Sequence, residues 1–320
     1  TLSRYLEKFT TASKTAQSRL YLDLFAGQVD NVRRDDPSRH FPGSTVRALK
    51  TVPPFDHLSL FELPPKALEL SDQLAKLFPG DPRYSVIPGD CNDAIGHELQ
   101  RLRSQRLDWS ATFALVDPDK FSVSWSTLYS IASFKHERAR TKAEMLILLP
   151  HTTIQRLAGW DSAMGYTEEI SRSVTEFFGT SRWRRIFERR AADSLTAAEA
   201  RLLYVQLFRF RLEHHLGYNK TLTIEMGNEQ GAPVYTMVFA TDHDAGVRIM
   251  SSVNKKALRQ SAEYRADVIA RRKRQRRAES GRPTLFDMHP GVLVEEPRSF
   301  ETTQDDESPS LPNWLKRDAW

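Results

Sequence analysis

The first half of the chain alternates short apolar runs with stretches of helical spacing, and this alternation restricts the fold more than any other feature. Arg19 to Ala26 (RLYLDLFA), His57 to Leu63, Tyr84 to Pro88, Thr112 to Val116 and Glu144 to Leu149 read as five strands. A helix around Ser3 to Thr15 precedes the first of them. After the second, Ala67, Leu70, Leu74 and Leu77 recur at helical spacing behind Pro64 and Pro65, and Pro79 with Gly80 stops the helix. Another helix runs to Leu102 between the third and fourth strands. Strand and helix in turn predict an α/β fold: a doubly wound, mostly parallel sheet with helices on both faces.

The pattern then changes. From about 151 to 216 no strand signal is clear, and a helical insertion is expected. Phe177, Phe178, Trp183, Ile186 and Phe187 suggest one packed pair of helices, and Leu202, Leu203, Val205, Leu207 and Phe208 another. Tyr218 to Met226 and Pro233 to Ala240 read as an antiparallel hairpin across the turn Gly227 to Gly231. Val247, Met250, Val253 and Leu258 then suit a last helix from His243. The expected organisation is an α/β domain over residues 1–260, a basic helical segment over 261–279 and a largely unstructured tail over 280–320. Pro283, Pro290, Pro297 and Pro312 and the acidic Asp305, Asp306 and Glu307 mark the tail. Its aromatics Phe286, Phe300, Trp314 and Trp320 are candidates to dock on the body or on a partner.

With 320 residues and 40% hydrophobic content the chain has enough apolar material for a sizeable core. No apolar run approaches the ~18 residues that cross a bilayer, and no basic-then-apolar leader opens the sequence, so a cytoplasmic protein without a membrane partner is expected. The single cysteine, Cys91, rules out a disulfide framework or a multi-cysteine metal site built from this chain alone. Net charge is +5, but its placement says more: Arg271, Arg272, Lys273, Arg274, Arg276 and Arg277 form one dense run. With those six set aside, 40 of the 46 basic residues face 41 acidic ones. A polyanion such as nucleic acid would therefore be gripped locally, unless the run is simply a solvated helix end.

In a doubly wound sheet, ligands bind beyond the carboxyl ends of the strands, near the point where strand order reverses. Those ends carry Asp23 to Gly27, Glu62, Asp90, and Asp117 with Pro118. Carboxylates without a lysine favour ligands rich in hydroxyl and amino donors over polyphosphates. The fingerprints G-x-G-x-x-G, G-x-x-x-x-G-K, G-x-S-x-G, H-E-x-x-H and C-x-x-C are all absent. Several carboxylates keep a second reading: Asp90 as cap of a helix beginning near Ala94, Asp117 as a turn cap, and Asp23 as the residue that orients its loop. Asp242 and His243 read as caps at a strand-to-helix junction, with a general-base role the lesser reading. Arg33, Arg34 and Arg39, in the long loop after the first strand, suit either a phosphate-bearing substrate or solvent.

The order YLDLFAG (Tyr21 to Gly27), GSTVRAL (Gly43 to Leu49), LFEL (Leu60 to Leu63), IPGDCN (Ile87 to Asn92), ALVDPD (Ala114 to Asp119) with Trp125, and FATDH (Phe239 to His243) with RIM (Arg248 to Met250) resembles the three-Cys-motif partner protein family. The likeness spans roughly residues 5 to 260. It implies a Rossmann-like fold of the class I S-adenosylmethionine-dependent methyltransferases, closed by an antiparallel strand, and association with a separate three-cysteine protein. By the same resemblance Asp23, Phe25, Ala26 and Gly27 approach the methionine part of S-adenosylmethionine and Glu62 takes its ribose hydroxyls. Asp90 takes the adenine amino group with Cys91 packed beside it, and Asp117 and Pro118 position the nitrogen to be methylated. Two departures stand out. Val29 occupies the place of a second glycine, where it is expected to crowd close backbone approach, and Asp119 and Lys120 replace the usual Tyr-Gly, leaving Phe121 as the nearest aromatic. Two functions follow: a methyltransferase acting on nucleic acid together with a partner, or a non-catalytic methyltransferase-like subunit that binds a partner protein or nucleic acid.

Overall fold

A computed structural model describes residues 2–32, 40–151, 167–227, 233–257, 259 and 308–316. Its frame is a seven-stranded sheet ordered β5-β4-β1-β6-β7-β9-β8. The strands are β1 (Arg19–Asp23), β4 (His57–Glu62), β5 (Tyr84–Pro88), β6 (Ala111–Val116), β7 (Glu144–Leu149), β8 (Lys220–Gly227) and β9 (Pro233–Thr241). The first five are parallel; β9 runs antiparallel between β7 and β8. Four of the five parallel strands lie where the apolar runs placed them to within one residue at each end, whereas β1 stops at Asp23, three residues short of Ala26, because Leu24 to Ala26 already form the loop. A separate ribbon of β2 (Asp30–Val32) and β3 (His40–Pro42) follows β1. Its strands are only three residues long and mostly exposed, Val32 and Phe41 included, which is why their pattern predicts only a loop.

Alternation along each strand sends neighbouring side chains to opposite faces, and both faces are buried. Leu20, Leu22, Ala114, Val116, Met145 and Ile147 belong to one core cluster. Tyr21, Leu58, Leu60, Phe113, Leu115 and Leu146 belong to the other. The second cluster is covered by α1 (Leu2–Ala12), α2 (Ser44–Leu49), α3 (Lys66–Leu77) and a helix over residues 244–257, α9. The first is covered by α4 (Cys91–Ser104), α5 (Trp125–Ala132), α6 (Glu168–Phe178), α7 (Trp183–Ala191) and α8 (Ala197–His214). The sheet is thus doubly wound, and the helical insertion is part of one covering layer. Two apolar positions read as packed are open instead: Leu77 is 55% exposed at the end of α3 and Leu202 is 52% exposed on α8.

Part of the stretch read as a tail is ordered against the body. Leu311 and Leu315 are buried in the first cluster, around the short helix α10 (Asn313–Lys316). Arg182 and Arg185 donate to the carbonyls of Leu315 and Trp314 at 2.7 and 3.0 Å, and the Arg189 guanidinium lies 4.2 Å over the Trp314 ring. Composition predicts disorder from the average of a segment, whereas three apolar side chains suffice to anchor nine residues when a groove exists. Phe286, Phe300, Trp320, the acidic patch, the turn of the hairpin and Leu258 lie outside the described residues.

At the amino end of β7, Glu144 is buried and takes hydrogen bonds from the Tyr5 hydroxyl of α1 and the Thr241 hydroxyl of β9, the latter at 2.7 Å. Burial pushes its carboxyl up to about 7, against the lowering effect of the two hydroxyls. Between that value and the ordinary one the folded chain holds a proton that the unfolded chain has lost, so stability falls as pH rises through the window. Asp23, at about 6, acts in the same direction. Denaturant midpoints measured from pH 5 to 7.5 are therefore expected to decline with pH, by at most about 1.4 kcal/mol per unit for each group. Glu144→Gln should flatten that slope; an unchanged slope would show that Glu144 does not titrate there.

Candidate functional site

Strand order reverses between β1 and β6: the chain builds outward through β4 and β5, then returns to lay down β6 and β7 on the other side. The crevice beyond the carboxyl ends of β1 and β6 is therefore the place where this topology leaves room for a ligand. Asp23 ends β1 and Asp117 directly follows β6. Asp23 is fully buried; Tyr21 donates its hydroxyl to Oδ2 at 3.0 Å, and Oδ1 has no hydrogen-bond partner among the described residues. Burial lifts its carboxyl to about 6; the Ser44 and Tyr21 hydroxyls oppose the rise and the Asp117 charge adds to it. Asp117 is in contact with solvent, yet the protein around it also raises its pKa by desolvation. Two neighbouring carboxyls disfavoured in their charged form, with an acceptor oxygen unused, make a site suited to a donor or a cation.

The loop after β1 is stitched to its neighbours by backbone. Leu24 N donates to the Leu115 carbonyl at 3.1 Å, and Ala26 N to the Phe61 carbonyl at 2.9 Å. Glu62 closes the set: Oε2 accepts from Gly27 N at 2.8 Å and Oε1 from Leu63 N at 2.9 Å. Each oxygen keeps a second lone pair, so Glu62 can still accept two further donors. Phe25 is half-buried against the first cluster, and the Ala26 carbonyl accepts from Thr45 at 3.3 Å. Val29 does not crowd the loop as its position suggests, because it is half-buried against the second cluster and its carbonyl accepts from Gly43 N at 2.9 Å. That approach requires glycine at 43: a Cβ there would lie 2.1 Å from the Gln28 carbonyl oxygen.

Asp90 is exposed and caps α4, its Oδ1 accepting from Asn92 N at 2.8 Å. Cys91 is the first residue of that helix and is buried in the first cluster, where burial pushes its thiol up to about 12 and the Asp90 charge adds to the effect. A thiol so placed is a packing group at neutral pH. After Asp117 and the buried Pro118, Lys120 adopts φ of 58°, the left-handed region that favours glycine. Phe121 is buried edge-on against Phe177, with ring centroids 5.4 Å apart, and so offers the crevice no stacking face.

Residues that sequence reasoning passed over complete the site. Asn92 holds the 117–127 loop: its Nδ2 donates to the Ser122 carbonyl at 2.8 Å, and its Oδ1 accepts from Ser124 N at 2.9 Å and the Thr127 hydroxyl at 2.7 Å. It lies within the IPGDCN motif, but nothing in its spacing signals a tether 30 residues away. Tyr235 of β9 has its hydroxyl pKa raised by burial and then by the charge of Asp117. His151, just past β7, is buried; its Nε2 lies 3.0 Å from the Thr236 hydroxyl, and Nδ1 has no partner among the described residues. Burial first, and then Arg201, lower its pKa to about 4, so it is neutral at physiological pH.

Asp242 and His243 sit at the opposite end of the sheet. Asp242 accepts from Lys142 N at 2.8 Å and from Asn219 N at 2.9 Å, and His243 N donates to Thr241 at 3.0 Å, so both serve the backbone. Arg33, Arg34 and Arg39 and the run from Arg271 to Arg277 lie outside the described residues. Among the described residues no three His, Cys, Asp or Glu side chains converge to hold a metal, and no helix is long and apolar enough to cross a membrane.

No family model matches the chain, and no curated protein does. Among solved structures it is similar to the crystal structure of protein LPL1258 from Legionella pneumophila str. Philadelphia 1, described as family-model DUF519. The two are 12% identical; the alignment covers 75% of this chain and 83% of that one, with a TM-score of 0.41.

Asn92→Ala removes three hydrogen bonds that tie the loop after β6 to α4. The expected loss is about 1 to 3 kcal/mol in denaturant unfolding, with faster hydrogen exchange at Ser124 N. Unaltered exchange there would mean that Asn92 does not hold the loop.

Proposed function

We propose that the chain is an S-adenosylmethionine-dependent methyltransferase, or a protein descended from one, whose cofactor lies in the crevice at the carboxyl ends of β1, β4, β5 and β6. The observation that carries this reading is Asp23, buried beside Asp117 with Oδ1 unpartnered among the described residues, at the point where strand order reverses. S-adenosylmethionine fits that donor set: its ammonium and sulfonium are cations and its ribose diol and adenine amine are donors, facing acceptors. The order of the sequence motifs and the antiparallel β9 beside β7 agree with the resemblance to the three-Cys-motif partner family.

Glu62 would hold the ribose hydroxyls with its remaining lone pairs, and Asp90 the adenine amine, next to buried Cys91. Asp23, Phe25, Ala26 and Gly27 would form the wall at the methionine end. Bound there, the cofactor supplies a methyl group already activated by its sulfonium. The chain's own task is to place an acceptor amine, through Asp117 and Pro118, and to keep the crevice ordered through Asn92. Nucleic acid as acceptor or partner is supported by the six cations within Arg271 to Arg277, in a chain otherwise near charge balance. A three-cysteine partner protein belongs to the same reading.

A second reading, a non-catalytic subunit that binds a partner protein or nucleic acid, draws on one observation. Lys120 takes a glycine's conformation and Phe121 is buried, so the segment after Asp117 and Pro118 lacks the aromatic face that would stack on a base.

Calorimetric titration with S-adenosylmethionine should show saturable binding, and Glu62→Ala should weaken it by about 1 to 3 kcal/mol. Because a cation favours ionised Asp23, affinity should fall below about pH 6, by up to tenfold per unit, and Asp23→Asn should abolish that dependence. Absence of binding with the partner also present would end the methyltransferase reading. Asp117→Ala should stop turnover while leaving cofactor affinity nearly intact; a variant indistinguishable from wild type in all assays favours the non-catalytic subunit. Deleting Arg271 to Arg277 should flatten the salt dependence of nucleic-acid binding by about 0.7 to 0.9 in log–log slope for each phosphate no longer neutralised, and an unchanged slope would remove the run from the interface.

A further inference from the structure

A second cavity, of about 320 Å³, opens at the other end of the sheet, where the parallel strands begin. It is enclosed by α1 and the turn after it, the amino ends of β6 and β7, the segment before β7 and the first turns of α9. Its size is at the lower end of the range for small-molecule pockets. Phe9, Ala16, Ala111 and Ile249 give it apolar walls, and the indole of Trp109, 47% exposed, gives it a flat rim. His136 stacks on Trp109 at 4.3 Å between centroids.

The polar groups of this cavity differ in what they have left to offer. Glu144 is engaged by the Tyr5 and Thr241 hydroxyls. Lys142 is committed to the Gly217 carbonyl at 2.7 Å and to Asp242 at 3.3 Å. Lys135 donates to the Ser110 carbonyl, and among the described residues it makes no ion pair. One acceptor leaves two of its three ammonium protons free. Burial lowers its pKa to about 8, an effect that Asp108 only partly offsets, so an anion beside it would recover electrostatic energy that the fold has given up. Glu144 and Asp242 nearby make a dianion a poor occupant, and apolar walls with an exposed indole suit a ring more than a polar body.

We propose that this cavity binds a small aromatic monocarboxylate, its ring against Trp109 and the apolar walls and its carboxylate paired with the Lys135 ammonium. The site is separate from the crevice at the carboxyl ends and does not depend on what that crevice binds.

The test uses the full chain with benzoate as probe and benzylamine as a cation of the same shape, each followed by saturation-transfer NMR and calorimetry. Benzoate should bind saturably and benzylamine should not. Lys135→Met should weaken benzoate at least tenfold, Lys135→Arg should stay within a few-fold of wild type, and Asp117→Ala, at the far end of the sheet, should change nothing. If Lys135→Met fails to fold by circular dichroism, Ala16→Phe, which fills the cavity from its half-buried rim, carries the test and should abolish binding. Failure of benzoate to saturate, equal binding of benzylamine, or benzoate affinity indifferent to the Lys135 and Ala16 replacements would each overturn the proposal.

Discussion

The architecture depends on the burial of β1 on both faces. Leu20 and Leu22 enter one core cluster and Tyr21 the other, and all three are inaccessible to solvent. At roughly 1.5 to 3 kcal/mol for each large apolar side chain removed from water, the central strands supply much of the force that assembles the domain. A strand covered on both sides leaves its polar side chains few places except its ends. Asp23, Glu62, Asp117 and Glu144 are accordingly found at or just beyond strand termini, and the same constraint that builds the core gathers the chemistry at the two ends of the sheet.

The two ends treat a buried carboxyl differently. Glu144 is answered by hydroxyls from α1 and β9, and Gly246 approaches it so closely that a Cβ there would come within 2.4 Å of its Oε1. It is a structural knot between the first helix, the fifth parallel strand and the hairpin. Asp23 takes the Tyr21 hydroxyl on Oδ2, and the Ser44 hydroxyl and Phe25 N also favour its charged form, while Oδ1 has no partner at hydrogen-bond geometry among the described residues and Asp117 stands nearby. Burying an acceptor without a donor costs about 1 to 3 kcal/mol, and such a cost is tolerated most readily where a ligand removes it. The contrast separates an acid with both oxygens engaged from one with an oxygen left open at a strand end, although both have raised pKa values.

Strand positions were legible because a buried parallel strand leaves a short, nearly continuous apolar run that nothing else in the chain imitates. The β2–β3 ribbon left no such trace, since Asp30, His40 and their neighbours bury little and pair chiefly through backbone. Within the site, carboxylates at strand ends could be named from topology alone. Asn92 and Tyr235 could not, because one is hydrogen-bonded to, and the other senses the charge of, a residue distant in sequence. Phe121 shows the reverse error: an aromatic in the right stretch of sequence is a candidate platform until its burial against Phe177 is seen.

By itself the sequence determined the α/β class, the five parallel strands and the acidic character of their carboxyl ends, because periodicity and strand-end position are local properties of a chain. Only the tertiary structure decided that Val29 packs against the core, that Asp90 caps α4, and that the Leu311–Leu315 segment closes over the helical layer. It also decided that Lys135 stands beside a cavity with no ion-pair partner among the described residues. Each of these depends on which groups from distant segments share one small volume, and burial, pairing and pKa follow from that volume rather than from the order of residues along the chain.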